Sequence, residues 1–321
     1  MRQILKDWET GDHLEELNGI LCIDKPQGFT SFDVVAKLRG IAKTRRIGHA
    51  GTLDPMATGV LPLFLGRATK ACDLLPDQDK RYTAVFRLGL ETDTLDITGT
   101  VVSEHPVEVS EAQVREAASR FTGEILQVPP MYSALKVGGK KLCDLARQGV
   151  EVEREARPVR IHRLEFLSCD SAAQTYTIDV ACSKGTYIRT LVADIGEVLG
   201  CGAVLTALRR TEAAGYDLGG CVTLEEVQGC ADAGRLPDLL RPVSSAFGRL
   251  AQVRLAKAQD RLFRNGVRLD TARLAFFENG TRLGRVPEGN LSVYSSEGIF
   301  LGIARATGGE LRLVKLFVLE V

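Results

Sequence analysis

A single aspartate stands in a glycine-rich stretch whose residue types and spacing suit chemistry. The stretch GHAGTLDPMATGVLP begins at Gly48 and runs directly into an apolar segment. Gly48, Gly51 and Gly59 permit backbone angles and close ligand approach that a Cβ would prevent. Pro55 biases Asp54 away from helical geometry, so its carboxylate can be held on a fixed loop as a nucleophile. Asp-Pro and flanking glycines are also ordinary turn formers, and the spacing alone leaves a purely structural turn open.

The elements on the amino-terminal side of this loop must hold it in place. Residues 19–24 have the pattern of a strand, and Thr30 and Ser31 are suited to cap a helix. Apolar residues recur in that helix at helical spacing, which predicts a buried face made of Phe32, Val35, Ala36 and Ile41. The helix should bring the basic segment 43–46 to the lip of the Asp54 loop.

Further along the chain, strand patterns arrive in runs between helix patterns. The strand patterns cover residues 82–90, 157–169 and 174–183. Helix patterns begin at Ser110, Thr186 and Thr223, and Gly123 is placed to end the first of these helices. This order indicates an α+β fold with a central mixed or antiparallel sheet. Residues 251–321 change to short strand-like runs, which predict a small β-rich domain.

Composition narrows the class of protein. The 321 residues are 45% hydrophobic and 26% charged, which is ordinary for a globular chain. No apolar run approaches the roughly 20 residues that span a bilayer, and the acidic beginning of the chain is unlike a signal peptide, so we expect a cytoplasmic protein. The eight cysteines and four histidines are scattered. Their spacing predicts reduced core cysteines and no structural metal.

The distribution of charge matters more than its sum. Lys and Arg number 41 and balance 41 Asp and Glu. A net charge of zero argues mildly against a nucleic-acid-binding protein. The basic residues nevertheless cluster in residues 37–46, 136–141, 154–163 and 209–210. Such segregation can form a face for phosphate groups, although any single cluster also fits a solvated helix or strand face.

Six segments, in order, carry a family resemblance. They are GILCIDKPQG at 19–28, GHAGTLDPMATGVLP at 48–62, DKRY at 79–82, PMYSALK at 130–136, SKGTYIRT at 183–190 and LRR at 208–210. Together they resemble the TruB family of tRNA pseudouridine synthases over most of residues 19–245. The resemblance implies that the chain isomerises uridine 55 in the T loop of tRNA, a reaction without net redox change that needs no cofactor.

The resemblance also implies a domain organisation. It predicts an amino-terminal arm at 1–18, a catalytic domain of the pseudouridine synthase fold at 19–250, an inserted thumb at 128–156 that closes on the RNA, and a PUA-like domain at 251–321. The thumb segment by itself also fits an exposed helical hairpin without function. The expected partner is the T stem-loop of tRNA, without a membrane or an obligatory protein partner, and the protein is expected to be a monomer.

Three residues are implied to do the chemistry. Asp54 is the catalytic carboxylate, which can attack the base, attack the sugar or assist elimination of a sugar proton. Arg189 is implied to pair with it, which would lower the pKa of Asp54 and orient its oxygens. Tyr82 is implied to stack on the extruded base and to relay the C5 proton. Without the motifs, an amphipathic helix arginine and a packed strand tyrosine explain the latter two residues.

Further residues are implied to hold the RNA. His49 would fill the space that the flipped uridine vacates, and Tyr187 and Leu208 would line the uracil pocket. The residues implied to bind the RNA are Lys25, Lys136, Lys140, Lys141 and Arg209.

Two other functions stay open from the sequence. Binding and flipping a tRNA would suffice for a folding chaperone in which catalysis is secondary. The catalytic subunits of RNA-guided pseudouridine synthases share the aspartate loop, but the match of residues 128–156 to the thumb of the stand-alone enzymes disfavours them. A carboxylate-dependent hydrolase would require a second catalytic carboxylate near Asp54, and no motif supplies one.

Overall fold

The computed structural model describes residues 17–318, so residues 1–16 of the predicted amino-terminal arm lie outside the described residues. The first thirteen strands are β1 (Gly19–Lys25), β2 (Ile47–His49), β3 (Thr58–Leu65), β4 (Lys80–Leu88), β5 (Leu90–Thr92), β6 (Val101–Glu104), β7 (Gly123–Gln127), β8 (Lys136–Val137), β9 (Lys140–Lys141), β10 (Arg157–Asp170), β11 (Thr175–Cys182), β12 (Ala203–Ala213) and β13 (Tyr216–Asp217). The helices among them are α1 (Ser31–Ala42), α2 (Glu111–Ser119), α3 (Leu142–Ala146), α4 (Ile188–Leu199) and α5 (Leu224–Asp232).

A nine-stranded sheet forms the centre of this part. Its strand order is β1-β3-β12-β4-β11-β10-β7, with β2 paired to β3 and β13 paired to β12. Strands β3 and β12 run parallel, and the other neighbours on this path run antiparallel. The predicted α+β fold with a mixed sheet is therefore confirmed. The parallel pair sets Arg210 opposite Gly59, and β4 sets Tyr82 opposite Arg210 from the other side.

Three helices begin where their capping residues predict, whereas α4 begins at Ile188, two residues after the predicted Thr186. Thr30, Ser110 and Thr223 each accept a hydrogen bond from the third residue of the following helix and form a capping box. The predicted end of α2 is wrong. That helix ends at Ser119, and Gly123, with a φ of +106°, starts strand β7 instead.

The predicted buried face of α1 is also wrong in part. Its buried apolar residues are Val34, Val35, Leu38 and Ala42. Phe32 is 63% exposed, and Ala36 is exposed as well. The reason lies at the first helical residue, because the buried Ser31 hydroxyl accepts a hydrogen bond from Leu53 N at 2.8 Å. That contact turns Ser31 inward and therefore rotates Phe32 towards solvent.

Two groups of helices cover the sheet. Helices α2 and α4 pack on strands β4 and β11 in one apolar cluster that contains Phe86, Tyr176 and Ile195. Helices α1 and α5 pack on β1 and β3 in another cluster. Helix α4 approaches β12 closely at Gly196, where a Cβ would lie 2.3 Å from Ala203 N. Close packing of α4 fixes the position of Arg189 in its first turn.

The last part of the described chain is a seven-stranded sheet with its own core. Its elements are β14 (Gln252–Arg254), α6 (Lys257–Arg264), β15 (Leu269–Asp270), β16 (Ala275–Glu278), β17 (Thr281–Leu283), β18 (Asn290–Tyr294), β19 (Phe300–Thr307) and β20 (Glu310–Leu316), with the strand order β15-β20-β19-β18-β14-β16-β17. The separate β-rich domain is confirmed, while its PUA-like identity and the other domain boundaries stay predictions. Phe247 joins it to the large sheet through ring contacts with Phe300 and Phe317 at 5.9 and 5.8 Å. Within residues 17–318, no helix is both long enough and apolar enough to cross a membrane.

Candidate active site

A cavity of about 350 Å³ lies where the Asp54 loop meets the large sheet. Five of the predicted site residues line it, and they come from the loop, from strands β4 and β12, and from the start of α4: Asp54, Tyr82, Tyr187, Arg189 and Leu208. These residues are far apart in the sequence. The sheet register and the close approach of α4 bring them together.

Two buried cations hold the backbone of the Asp54 loop. Arg210 is fully buried, and its guanidinium donates to the carbonyl oxygens of Val60 at 2.7 Å, Gly51 at 3.0 Å and Thr52 at 3.4 Å. Lys25 is fully buried too, and its ammonium donates to the carbonyl oxygens of the turn that follows β1 and to Pro55 O at 3.3 Å.

These contacts give Lys25 a structural role and add a residue to the site. The ammonium of Lys25 is surrounded by backbone carbonyl oxygens of the fold, and its contact with RNA stays a prediction. The role of Arg210 was not predicted, although its position two residues after Leu208, on the same face of the strand, is the signal that could have found it. Of the three loop glycines, Gly51 and Gly59 have positive φ values of +82° and +105°, and Gly48 does not.

Arg189 connects the loop to two other segments. Its Nε lies 2.9 Å from Asp54 Oδ2, and its Nη1 lies 3.7 Å from Asp96 Oδ2. Its guanidinium also donates to Thr94 O at 2.9 Å and to Tyr132 O at 2.8 Å. Arg189 is 4% exposed, so all of these contacts are shielded from water. Asp96 was missed from the sequence, because nothing in the residues around it indicates that it meets Arg189.

The electrostatics of Asp54 differ from the expectation. Burial raises the pKa of Asp54 above its ordinary value, the Arg189 ion pair lowers it in part, and the nearby Asp96 carboxylate raises it again. The predicted lowering of the pKa by the ion pair is present, but burial outweighs it and the net direction is upward. About a third of the Asp54 side chain remains exposed towards the cavity. The arrangement thus presents a carboxylate that one fixed guanidinium orients and that burial makes more basic than usual.

Tyr82 and Tyr187 form walls of the cavity. Tyr82 is 5% exposed, and burial raises the pKa of its hydroxyl to about 12, so the phenol is neutral at physiological pH. Tyr187 precedes α4, and Gln127 fixes its backbone, because Tyr187 N donates to Gln127 Oε1 at 3.0 Å and Gln127 Nε2 donates to Tyr187 O at 3.3 Å. Leu208 adds an apolar surface. Aromatic and apolar walls of this kind fit a planar base.

His49 lies at the end of β2 and does not line the 350 Å³ cavity. It lines two neighbouring cavities, one of about 450 Å³ on the side of Gly51 and one of about 630 Å³ on the side of Asp54 and Arg189. Burial and the charge of Arg210 lower the pKa of His49, which favours the neutral ring. Its Nδ1 is buried and has no hydrogen-bond partner within the described part of the chain, residues 17–318.

The residues predicted to bind RNA lie in different places. Lys136, Lys140 and Lys141 are exposed on the β8–β9 hairpin, and Lys141 lines the 630 Å³ cavity beside Asp54. Arg209 instead forms two hydrogen bonds with the carboxylate of Asp24, at 2.7 and 3.1 Å. Part of its charge is therefore neutralised by the protein itself.

Comparison with solved structures defines the class of fold. One chain in the crystal structure of a Cbf5-Nop10-Gar1 complex matches with a TM-score of 0.73 and 24% identity, covering 94% of this chain and 85% of that chain. A chain in the structure of an H/ACA RNP bound to a substrate RNA containing 2′-deoxyuridine matches with a TM-score of 0.71 and 22% identity, covering 94% of this chain and 86% of that chain. The fold is that of the pseudouridine synthases.

Comparison of sequences defines the family. Residues 39–188 match the N-terminal domain of the TruB family pseudouridylate synthases, and residues 189–248 match the C-terminal domain of tRNA pseudouridylate synthase B. A protein of Cupriavidus metallidurans named tRNA pseudouridine synthase B is 47% identical over 94% of this chain and 95% of its own length. One of Haemophilus influenzae with the same name is 43% identical over 94% of this chain and 95% of its own length. The chain belongs to the TruB family of pseudouridylate synthases, which are isomerases.

Proposed function

We propose that the protein converts uridine 55 in the T loop of tRNA into pseudouridine, with Asp54 as the catalytic carboxylate. The observation that carries this proposal is the pairing of Asp54 with the buried Arg189 at 2.9 Å, on the wall of a cavity of about 350 Å³ that two tyrosines and Leu208 also line. The relatives named tRNA pseudouridine synthase B support tRNA as the substrate. A cytoplasmic location and a monomeric state stay predictions.

The reaction exchanges one bond of the uracil ring for another. The bond from N1 to C1′ breaks, the ring rotates, C5 bonds to C1′, and the C5 proton leaves while N1 gains a proton. Asp54 can attack the base or the sugar, or it can remove a sugar proton to start elimination, and each route uses an ionised carboxylate. Arg189 holds that carboxylate at a fixed angle, and the loop contacts of Arg210 and Lys25 limit its movement.

The aromatic residues and the loop are proposed to handle the base. In folded tRNA the T-loop uridine is stacked inside, so it must be flipped out before Asp54 can reach it. Tyr82 then stacks on the uracil ring, and its hydroxyl relays the C5 proton as a neutral phenol. Tyr187 and Leu208 close the pocket by contact. His49, with a neutral ring, occupies the space that the base leaves.

Tritium release from the target position tests the proposal. An unmodified tRNA transcript labelled with tritium at C5 of uridine loses the label only when C5 bonds to C1′. We expect the protein to release one equivalent of tritium per tRNA, and a transcript with cytidine at position 55 to release none. Release that persists from the cytidine transcript would assign the enzyme to another uridine, and no release from either transcript would exclude the proposed function.

A further inference from the structure

Lys80 is a cation in the lining of the cavity that has no acidic partner among the described residues 17–318. It lies two residues before Tyr82 on β4, so both side chains lie on the same face of the sheet. Lys80 lines the 350 Å³ cavity and the adjoining 450 Å³ cavity. Its ammonium donates to Gln78 O at 2.7 Å, and no carboxylate among residues 17–318 lies within 4.0 Å of it.

The other cations of the site are already engaged by the protein. Arg189 also lines the cavity, but it is held by Asp54, Asp96 and two carbonyl oxygens. Arg210 and Lys25 are fully buried under the loop and bind its carbonyl oxygens. Of the two cationic side chains that line the 350 Å³ cavity, Lys80 is therefore the one with donors left for a ligand.

Two further cations, Arg210 and Lys184, lie near Lys80. Burial lowers the pKa of Lys80, and the nearby charges of Arg210 and Lys184 lower it further. Asp79 opposes this effect, and its carboxylate lies 3.1 Å from His162 Nε2. A Cβ on Gly51 would lie 3.2 Å from Lys80 Cε and 3.3 Å from Arg210 Nη1, so both cations border the same glycine. The free protein thus has an uncompensated positive potential at this point, which an anion would relieve.

We propose that Lys80, with Lys184 beside it, binds a phosphate of the RNA backbone next to the nucleotide whose base enters the cavity. This inference rests on the proposed function, because it takes the ligand to be a nucleotide of an RNA chain. A base that fills the cavity leaves its sugar at the mouth, and a backbone phosphate follows directly. The ammonium of Lys80 is a point charge that accepts a phosphate from several angles.

A coupled substitution of protein and RNA tests the site. The RNA is a T-arm hairpin in which each of the two phosphates that flank the target uridine is replaced in turn by an uncharged methylphosphonate. The protein variants are Lys80→Met, Lys80→Arg and, as a matched loss of one exposed charge in the other domain, Lys257→Met. Equilibrium dissociation constants are measured at several salt concentrations, and urea unfolding midpoints show that each variant is folded.

We expect the protein substitution and the RNA substitution to remove the same contact, so that combining them loses no more affinity than either one alone. Lys80→Met weakens binding of the normal hairpin by about ten-fold or more, and one of the two methylphosphonates has no further effect on this variant. The salt dependence of its binding decreases by a slope of about 0.7. Lys80→Arg retains most of the affinity, and Lys257→Met behaves like the unchanged protein.

Two results overturn this inference, and a third separates it from the proposed function. Lys80 binds neither phosphate, and the inference is overturned, if the fold-increase in the dissociation constant from Lys80→Met and that from each methylphosphonate multiply when they are combined. A Lys80→Met variant with an unchanged dissociation constant overturns it as well. If the coupling is present but the unchanged protein forms no pseudouridine in tRNA, the phosphate site stands and the proposed function fails.

Discussion

Replacement of Arg210 tests whether the buried guanidinium holds the catalytic loop. Arg210→Met keeps an unbranched stem like that of arginine and removes the guanidinium donors, so the carbonyl oxygens of Gly51, Thr52 and Val60 lose their partner. Two of these bonds are short, at 2.7 and 3.0 Å. At about 1.5–3 kcal/mol for each hydrogen bond to a charged group, and with part of the loss offset because no charge remains buried, we expect the free energy of unfolding to fall by roughly 3 kcal/mol.

The variant should lower kcat much more than it weakens the binding of tRNA. A displacement of about 1 Å in a catalytic group costs on the order of 100-fold in rate, so we expect kcat of Arg210→Met to fall by about that factor. The dissociation constant for tRNA should change little, because Arg210 is fully buried. A second readout comes from His49. The Arg210 charge is one of the two causes that lower the pKa of His49, so the variant should raise the pKa of His49 towards its ordinary value in an NMR titration.

The neighbouring arginine is the matched control. Arg209 lies next to Arg210 on β12, but it is 42% exposed on its side chain and pairs with Asp24. Arg209→Met should lower the free energy of unfolding by no more than about 1 kcal/mol and should leave the pKa of His49 unchanged. The reasoning is refuted if Arg210→Met is folded and shows the raised pKa of His49 while kcat stays normal, since the loop would then keep its geometry without the guanidinium.

Four further predictions concern the proposed reaction. Asp54→Asn should abolish tritium release and leave tRNA binding nearly unchanged, because the amide can neither attack nor act as a base. Normal release would remove Asp54 from the mechanism. If the variant still promotes tRNA folding, that result would support a chaperone role beside catalysis. Tyr82→Phe should bind tRNA normally, since the ring remains, but should lower kcat, and an unchanged kcat would argue against a proton relay by the hydroxyl. Because burial raises the pKa of Asp54 and the ionised form reacts, kcat should fall with decreasing pH through a value above the ordinary carboxyl range, and an acid limb at or below that range would contradict the ionisation argument. An isolated T-arm hairpin should react nearly as well as full tRNA, with binding that falls steeply with salt, and an inert hairpin beside a reactive tRNA would mean that contacts beyond this arm are required.

Local sequence signals determined the elements of the fold. The capping residues Thr30, Ser110 and Thr223 begin their helices as predicted, because a side-chain oxygen satisfies a free backbone amide wherever the rest of the chain lies. Strands 157–169 and 174–183 appear almost with the predicted bounds, since alternating β-branched residues favour extended backbone. The motif residues that line the cavity were also named from the sequence, through their family resemblance.

Long-range geometry decided the environment of the site. The sequence could not show that Lys25 and Arg210 turn inward to bind loop carbonyls, or that Asp96 meets Arg189, because these contacts join residues from separate elements. It also could not show the net direction in which the pKa of Asp54 shifts. A pairing cation can be inferred from a motif, but the opposing effect of burial depends on everything packed around the carboxylate. The sequence thus identified the types of residue in the site. Their solvation and their partners are determined by the packing of the sheet, the loop and α4 against one another.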